Sequence, residues 1–148
     1  MAAVAQWTDE LTFIYKRSKR GESLLLKAAA LAGSHDSQLV VVVPFVTPAD
    51  GSGCCGIRGR AWRDMLRQVA DEEAEHALGV LEHAGVPHSV AVVEGSSVAE
   101  IVKAVVAKGE RQLALPRSPS GTVFSRSELR RLRRLVPEMV QDISASPT

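Results

Sequence analysis

The stretch Leu39-Val40-Val41-Val42-Val43 constrains the fold of this 148-residue chain more than any other. A strand with one wet face alternates apolar and polar side chains, whereas an unbroken valine run suits a strand buried on both faces. Such burial occurs in parallel sheets covered by helices, and parallel strands need long crossovers. The flanking residues supply them. Leu11-Thr12-Phe13-Ile14-Tyr15 is short, aromatic and β-branched, and predicts a first strand. Ser23 to Ala32 is mostly leucine and alanine, with no β-branched residue, and predicts a helix that Gly33 ends.

The alternation continues down the chain. A glycine-rich loop is expected from Thr47 to Arg60. Trp62, Leu66, Val69, Ala77, Val80 and Ala84 then recur at helical spacing and predict a long amphipathic helix over 61–84, ended by Gly85. Ser89 to Val93 reads as a third strand. Ser97 and Glu100 have capping-box spacing and open a helix with Val98, Ile101, Val102, Val105 and Val106 on its apolar face. Gln112 to Leu115 is a fourth, short strand, and Pro116 to Gly121 a loop. Ser125 or Ser127 caps a basic helix through Leu135, which Pro137 breaks or restarts. Val136 to Ile143 reads as helix or coil, and 145–148 as a frayed tail. The expected architecture is one α/β domain over 1–148, an open parallel sheet with right-handed crossovers and helices on both faces.

Charge and composition narrow the function classes. Eighteen Lys and Arg nearly balance seventeen Asp and Glu, so nothing global advertises nucleic acid or membrane. Six aromatic side chains of Phe, Trp or Tyr are too few for a base-stacking platform. The longest apolar run is far short of a membrane span, and Met1 to Trp7 lacks the basic and apolar stretches of a signal peptide. Cys54 and Cys55 are adjacent and cannot staple distant segments, which favours a reducing, cytoplasmic setting.

Several constellations resemble chemistry without completing it. Gly51-Ser52-Gly53-Cys54-Cys55-Gly56 matches a dinucleotide fingerprint literally, yet prolines precede it and no acid sits at the end of a following strand; it reads as loop. The two cysteines lack further metal ligands and read as incidental thiols. Glu73 and His76 have di-iron spacing in a single copy, where a bundle needs two; Glu73 also falls on the apolar stripe and needs a partner or the sheet's edge. Arg126, Arg130, Arg131, Arg133 and Arg134 alternate with Leu129, Leu132 and Leu135, which reads as a solvated helix packing its leucines. No metal site, and no nucleophile, base and orienter set, follows from the spacing.

Lys16, Arg17, Lys19 and Arg20 follow the first strand, at the carboxyl end of the sheet. Arg117 joins them there if strands one and four are neighbours, and open parallel sheets bind ligands at that end. The ligand positions expected on this basis are Lys16, Arg17, Ser18, Gly95, Arg117, Ser118 and Ser125.

Three segments, Ser18 to Val43, Ala74 to Val93 with its Gly85-Val86-Pro87 join, and Val92 to Val102, together resemble the universal stress protein family. The resemblance covers roughly residues 11 to 116 and implies strand order 3-2-1-4, a regulatory role and dimers. The departures are local. Lys16 stands where the nucleotide-binding branch has an acid, and Pro116-Arg117-Ser118-Pro119-Ser120-Gly121 replaces its Gly-x-x-Gly loop. Two prolines remove backbone amides that would close on phosphate, so no ATP-type cofactor is expected. The family's fifth strand is expected to be absent, which would expose Gln112–Leu115 as an edge. The reading is a non-enzymatic regulatory or adaptor domain acting as a homodimer, with Leu113, Leu115, Leu129, Leu132 and Leu135 at its interface or against another protein partner. The alternative is a module for a nucleotide or other phosphate-bearing anion.

Overall fold

The computed structural model describes residues 10–47, 56–109, 112–135 and 140–143. Five strands and four helices alternate: β1 (Glu10–Ile14), α1 (Lys19–Ser34), β2 (Gln38–Val46), α2 (Gly56–Leu81), β3 (His88–Gly95), α3 (Val98–Gly109), β4 (Gln112–Pro116), α4 (Arg126–Leu135) and β5 (Val140–Ile143). All pairs are parallel, in the order β3-β2-β1-β4-β5. The valine run of β2 lies between β1 and β3 and sends its side chains both ways. Val41 and Val43 pack with Leu11, Phe13 and Leu25 under α1 and α2, while Val40 and Val42 pack with Ile14, Ile101 and Leu115 under α3 and α4. Burial of each such side chain contributes about 1.5–3 kcal/mol.

The fifth strand is present, which corrects the expectation that it was missing. Leu113 to Pro116 pair in register with Val140 to Ile143. Four residues with Gln141 and Asp142 at their centre carry little apolar signal, because an edge strand is stabilised largely by its ladder. The polar pair is accommodated locally: Gln141 Nε2 donates to Gln112 Oε1 at 2.9 Å, and Arg133 pairs with Asp142. Gln112–Leu115 is therefore interior to the sheet and not an edge. Leu113, Leu115, Leu129 and Leu132 are buried in the chain's own core, and Leu135 is 50% exposed. Pro137 and the 145–148 tail lie outside the described residues.

Two helices differ from the sequence reading. Gly33 lies inside α1, which runs to Ser34, and the left-handed residue past its end is Asp36 (φ 55°). In α2, residues 56–60 of the expected loop are helical, and Cys54 and Cys55 lie outside the described residues. The core-facing stripe of α2 is Leu66, Ala70, Ala74, Ala77 and Leu81, and Trp62 (54%) and Val69 (50%) are exposed. Small alanines let the helix settle close to the sheet, so the larger side chains ride at its margin.

Pro44 occupies a defined place in the ladder. Val42 accepts from the Tyr15 amide at 2.9 Å, so the next β2 residue facing β1 is Pro44, which has no N–H to give. The Arg17 amide turns away instead, to Glu73 Oε2 at 3.0 Å. β1 leaves the sheet at that point.

Candidate functional site

From β1 the chain winds outward through β2 to β3, then returns to place β4 and β5 on the other side of β1. The crevice where the winding reverses lies at the carboxyl ends of β1 and β4, the usual ligand position in open parallel sheets. Two connections border it: residues 15–18 leading into α1, and residues 117–125 leading into α4. Lys16, Arg17, Arg117 and Ser118 are exposed along them, and β4 does lie beside β1.

The two connections are tied together by Ser18, the cap of α1, and by Arg20 in its first turn. Ser18 caps α1 by accepting from the Gly21 amide at 2.8 Å, and its hydroxyl donates to the Gly121 carbonyl at 2.7 Å. Arg20 donates to the Ser118 carbonyl at 3.1 Å and to the Ser120 carbonyl. Three loop carbonyls thus face the start of α1, where a phosphate cradle would turn amides inward. Two glycines permit the close approach. A Cβ on Gly21 would sit 2.0 Å from the Lys16 carbonyl oxygen, and Gly121 adopts φ 72° with Arg20 Cβ 3.0 Å from its own would-be Cβ. Arg20 and Gly121 stand in the sequence as part of a basic run and a loop; nothing in either marked them as partners.

Beneath the crevice lies a cluster between α1 and α2. The Tyr15 ring is fully buried, near-parallel to His76 at 6.4 Å, and its hydroxyl has no partner among the described residues. Burial pushes the Tyr15 phenol up to about 12, Glu22 and Glu73 add to the shift, and Arg17 opposes it. His76 Nε2 stands 3.2 Å from Glu22 Oε2, off the angle for a hydrogen bond. Glu73, on the flank of α2 facing α1, finds its partner in the Arg17 amide. A charge at that position is thereby met by a backbone donor, which the sequence pattern does not reveal.

The remaining expected ligand positions have structural tasks. Gly95 ends β3, two strands away from β1; its carbonyl accepts from the Thr47 amide at 3.0 Å, and a Cβ there would lie 2.4 Å from Ile101 Cγ1. Nearby, Glu94 bonds Arg63 at 2.6 Å and Thr47 at 2.9 Å; the Arg63 bond first, then Thr47, holds its carboxyl below the usual range. Ser125 caps α4 in a reciprocal box: it accepts from the Glu128 amide at 3.1 Å, and its own amide donates to Glu128 Oε1 at 2.7 Å. Ser97 accepts from the Glu100 amide at 3.1 Å, but the Glu100 carboxylate turns to Ser96, so that box is half formed. Among the described residues no group of three or more His, Cys, Asp or Glu could hold a metal ion, and no helix is long and apolar enough to cross a membrane.

No family model and no curated protein matches this sequence. Solved structures do match the fold over nearly the whole chain. A universal stress protein family member from Burkholderia pseudomallei aligns at 21% identity and TM-score 0.68, over 91% of this chain and 95% of its own. The universal stress protein of Archaeoglobus fulgidus in complex with dAMP aligns at 16% identity and TM-score 0.66, over 93% and 98%. A universal stress protein in complex with cAMP aligns at 12% identity and TM-score 0.62, over 95% and 100%. With its parallel sheet in the order 3-2-1-4-5 and a helix between each pair of successive strands, this chain has the fold of the universal stress proteins.

Proposed function

We propose that this chain is a non-enzymatic regulatory domain of the stress-response kind, acting in the cytoplasm through association with a second copy of itself and not as a nucleotide carrier. The observation that carries the reading is the Ser118–Gly121 loop, whose carbonyls are occupied by Ser18 and Arg20 across the crevice. An incoming triphosphate would meet acceptors there, at the position where its oxygens need donors. Self-association is supported by β5, whose outer edge has no strand partner among the described residues. Such an edge is commonly paired or covered, and pairing with its own copy about a two-fold axis would cover both.

Titration calorimetry with magnesium ATP and with dAMP tests the first half. Binding no tighter than about millimolar, roughly 4 kcal/mol, is expected, and micromolar affinity for either overturns it. Light scattering tests the second: twice the 15.9 kDa chain mass supports it, and a persistent 15.9 kDa species at high protein concentration overturns it. A second reading, capture of a small anion by side chains, is favoured by the exposed Lys16, Arg17 and Arg117 around the crevice and by the dAMP and cAMP complexes of proteins with this fold. Inorganic phosphate binding that Arg117→Ala removes would support it.

A further inference from the structure

The carboxyl-terminal half of α2, beyond the exposed Arg60, Arg63 and Arg67, and the exposed face of α4 carry opposite charge. On α4, Arg126, Arg130, Arg131 and Arg134 are exposed, with no ion-pair partner among the described residues. Arg133 is the exception, held by Asp142 and the Pro116 carbonyl. On α2, Asp71, Glu75, Leu78 and Glu82 recur at i, i+4, i+7 and i+11, the last just past the helix end; all four are exposed, and the three acids have no ion-pair partner among the described residues. This stripe stands one residue round from the core stripe at 70, 74, 77 and 81, on the flank away from Glu73 and His76, which face α1.

These two surfaces cannot neutralise each other within one chain. α2 covers the face of the sheet that holds Val41 and Val43, and α4 the face that holds Val40 and Val42. The near balance of 18 basic against 17 acidic residues therefore conceals a local acidic patch on one face and a local basic patch on the other. The match extends to apolar groups. Leu78 (45% exposed) lies between Glu75 and Glu82, and Leu135 (50% exposed) lies beside Arg134, one turn beyond Arg131. Arg130 to Arg134 and Asp71 to Glu75 have the same one-turn pitch, about 6 Å.

We infer that α4 of one copy docks on the acidic flank of α2 of the next, with Leu135 against Leu78 and the arginines against Asp71, Glu75 and Glu82. Apolar contact ringed by complementary charge is the anatomy of a specific interface. The contact joins unlike surfaces, so each bound copy offers a fresh pair and growth does not close at two. It is separate from any pairing along β5, which is two-fold, closes at a dimer and rests on backbone bonds.

Sedimentation of the full chain distinguishes the two. In about 10 mM salt, where screening extends to roughly 30 Å, the mean mass should climb with protein concentration past a dimer; near 1 M, where it is about 3 Å, that growth should stop. Arg130→Glu with Arg134→Glu, and separately Asp71→Lys with Glu75→Lys, should each abolish growth while keeping the native circular dichroism, since all four side chains are exposed. Mixing the two variants should restore growth, because the native α4 of one meets the native α2 of the other and the two charge-reversed surfaces complement each other as well. A mass that halts at two copies in every salt overturns the inference and leaves the β5 dimer standing. Failure of the mixture to associate overturns it as well. So does a wild-type monomer in low salt that binds duplex DNA or anionic vesicles through the same arginines, since the partner is then not a second copy.

Discussion

Replacing Ser18 by alanine removes one oxygen that serves two elements at once. The oxygen accepts from Gly21 as the cap of α1 and donates to the Gly121 carbonyl, closing the crevice loop. Loss of a serine cap costs about 1 kcal/mol. The second bond is partly buried, and stranding its acceptor costs about 1 kcal/mol more, at the lower end of the usual range. Ser18→Ala should therefore lose about 2 kcal/mol, and at roughly 2–4 °C per kcal/mol for a chain of this size the melting midpoint should fall by about 4–8 °C. Urea unfolding should show a lower midpoint with an unchanged slope. Ser18→Gly separates the two contributions, because glycine is within a few tenths of a kcal/mol of serine as a cap but cannot hold Gly121. It should fall about midway. A Ser18→Ala loss below about 0.5 kcal/mol, within the scatter of ordinary surface changes, would refute the dual role.

The raised Tyr15 phenol sets an alkaline limit. Below pH 10 it is protonated in folded and unfolded chains alike; from 10 to about 12 only the unfolded chain releases the proton, so stability should fall with pH across that window. Tyr15→Phe should remove that part of the slope and leave neutral-pH stability unchanged or higher, because the hydroxyl has no partner among the described residues; denaturant titrations at pH 8 and above check both. Gly21→Ala puts a Cβ against the Lys16 carbonyl and should destabilise by about 3 kcal/mol, the upper end for overpacking, as read by urea unfolding. Leu115→Lys places a charge where exposure is 0% and should leave the chain unfolded by circular dichroism. Leu132→Ala should cost about 2–5 kcal/mol in a urea titration.

Much of the fold is legible because burial on two faces leaves an unmistakable trace. The valine run fixes a central parallel strand, and the choice of Ser125 or Ser127 as a cap brackets the start of α4, which the structure settles on Ser125. β5 escapes because an edge strand of four residues is held by ladder bonds and by Arg133, not by apolar content. The face of α2 is read in part: Leu66, Ala77, Val80 and Ala84 pack against the core as expected, but counting large apolar side chains also selects the exposed Trp62 and Val69, while close helix–sheet packing selects Ala70 and Ala74. At the candidate site, the cations and Ser18 are visible as residue types. Their partners are not, since Gly121, Ser118 and Ser120 contribute carbonyls and Arg17 an amide. Backbone groups are common to every residue and carry no signature in a sequence.

Pro44 has a consequence for how this chain tolerates changes of length. Residues added between Tyr15 and Ser18 could lengthen β1 only if β2 offered a donor to the Tyr15 carbonyl, and at that rung the proline has none. Any insertion there must become loop, widening the mouth of the crevice while the registers of β1 with β2 and β4 stay where they are. Deletions are confined more tightly, because three residues already span the distance from the last rung to the first turn of α1. The proline acts as a stop on one side of the opening, so its depth is set by β2 and only its width is free to vary.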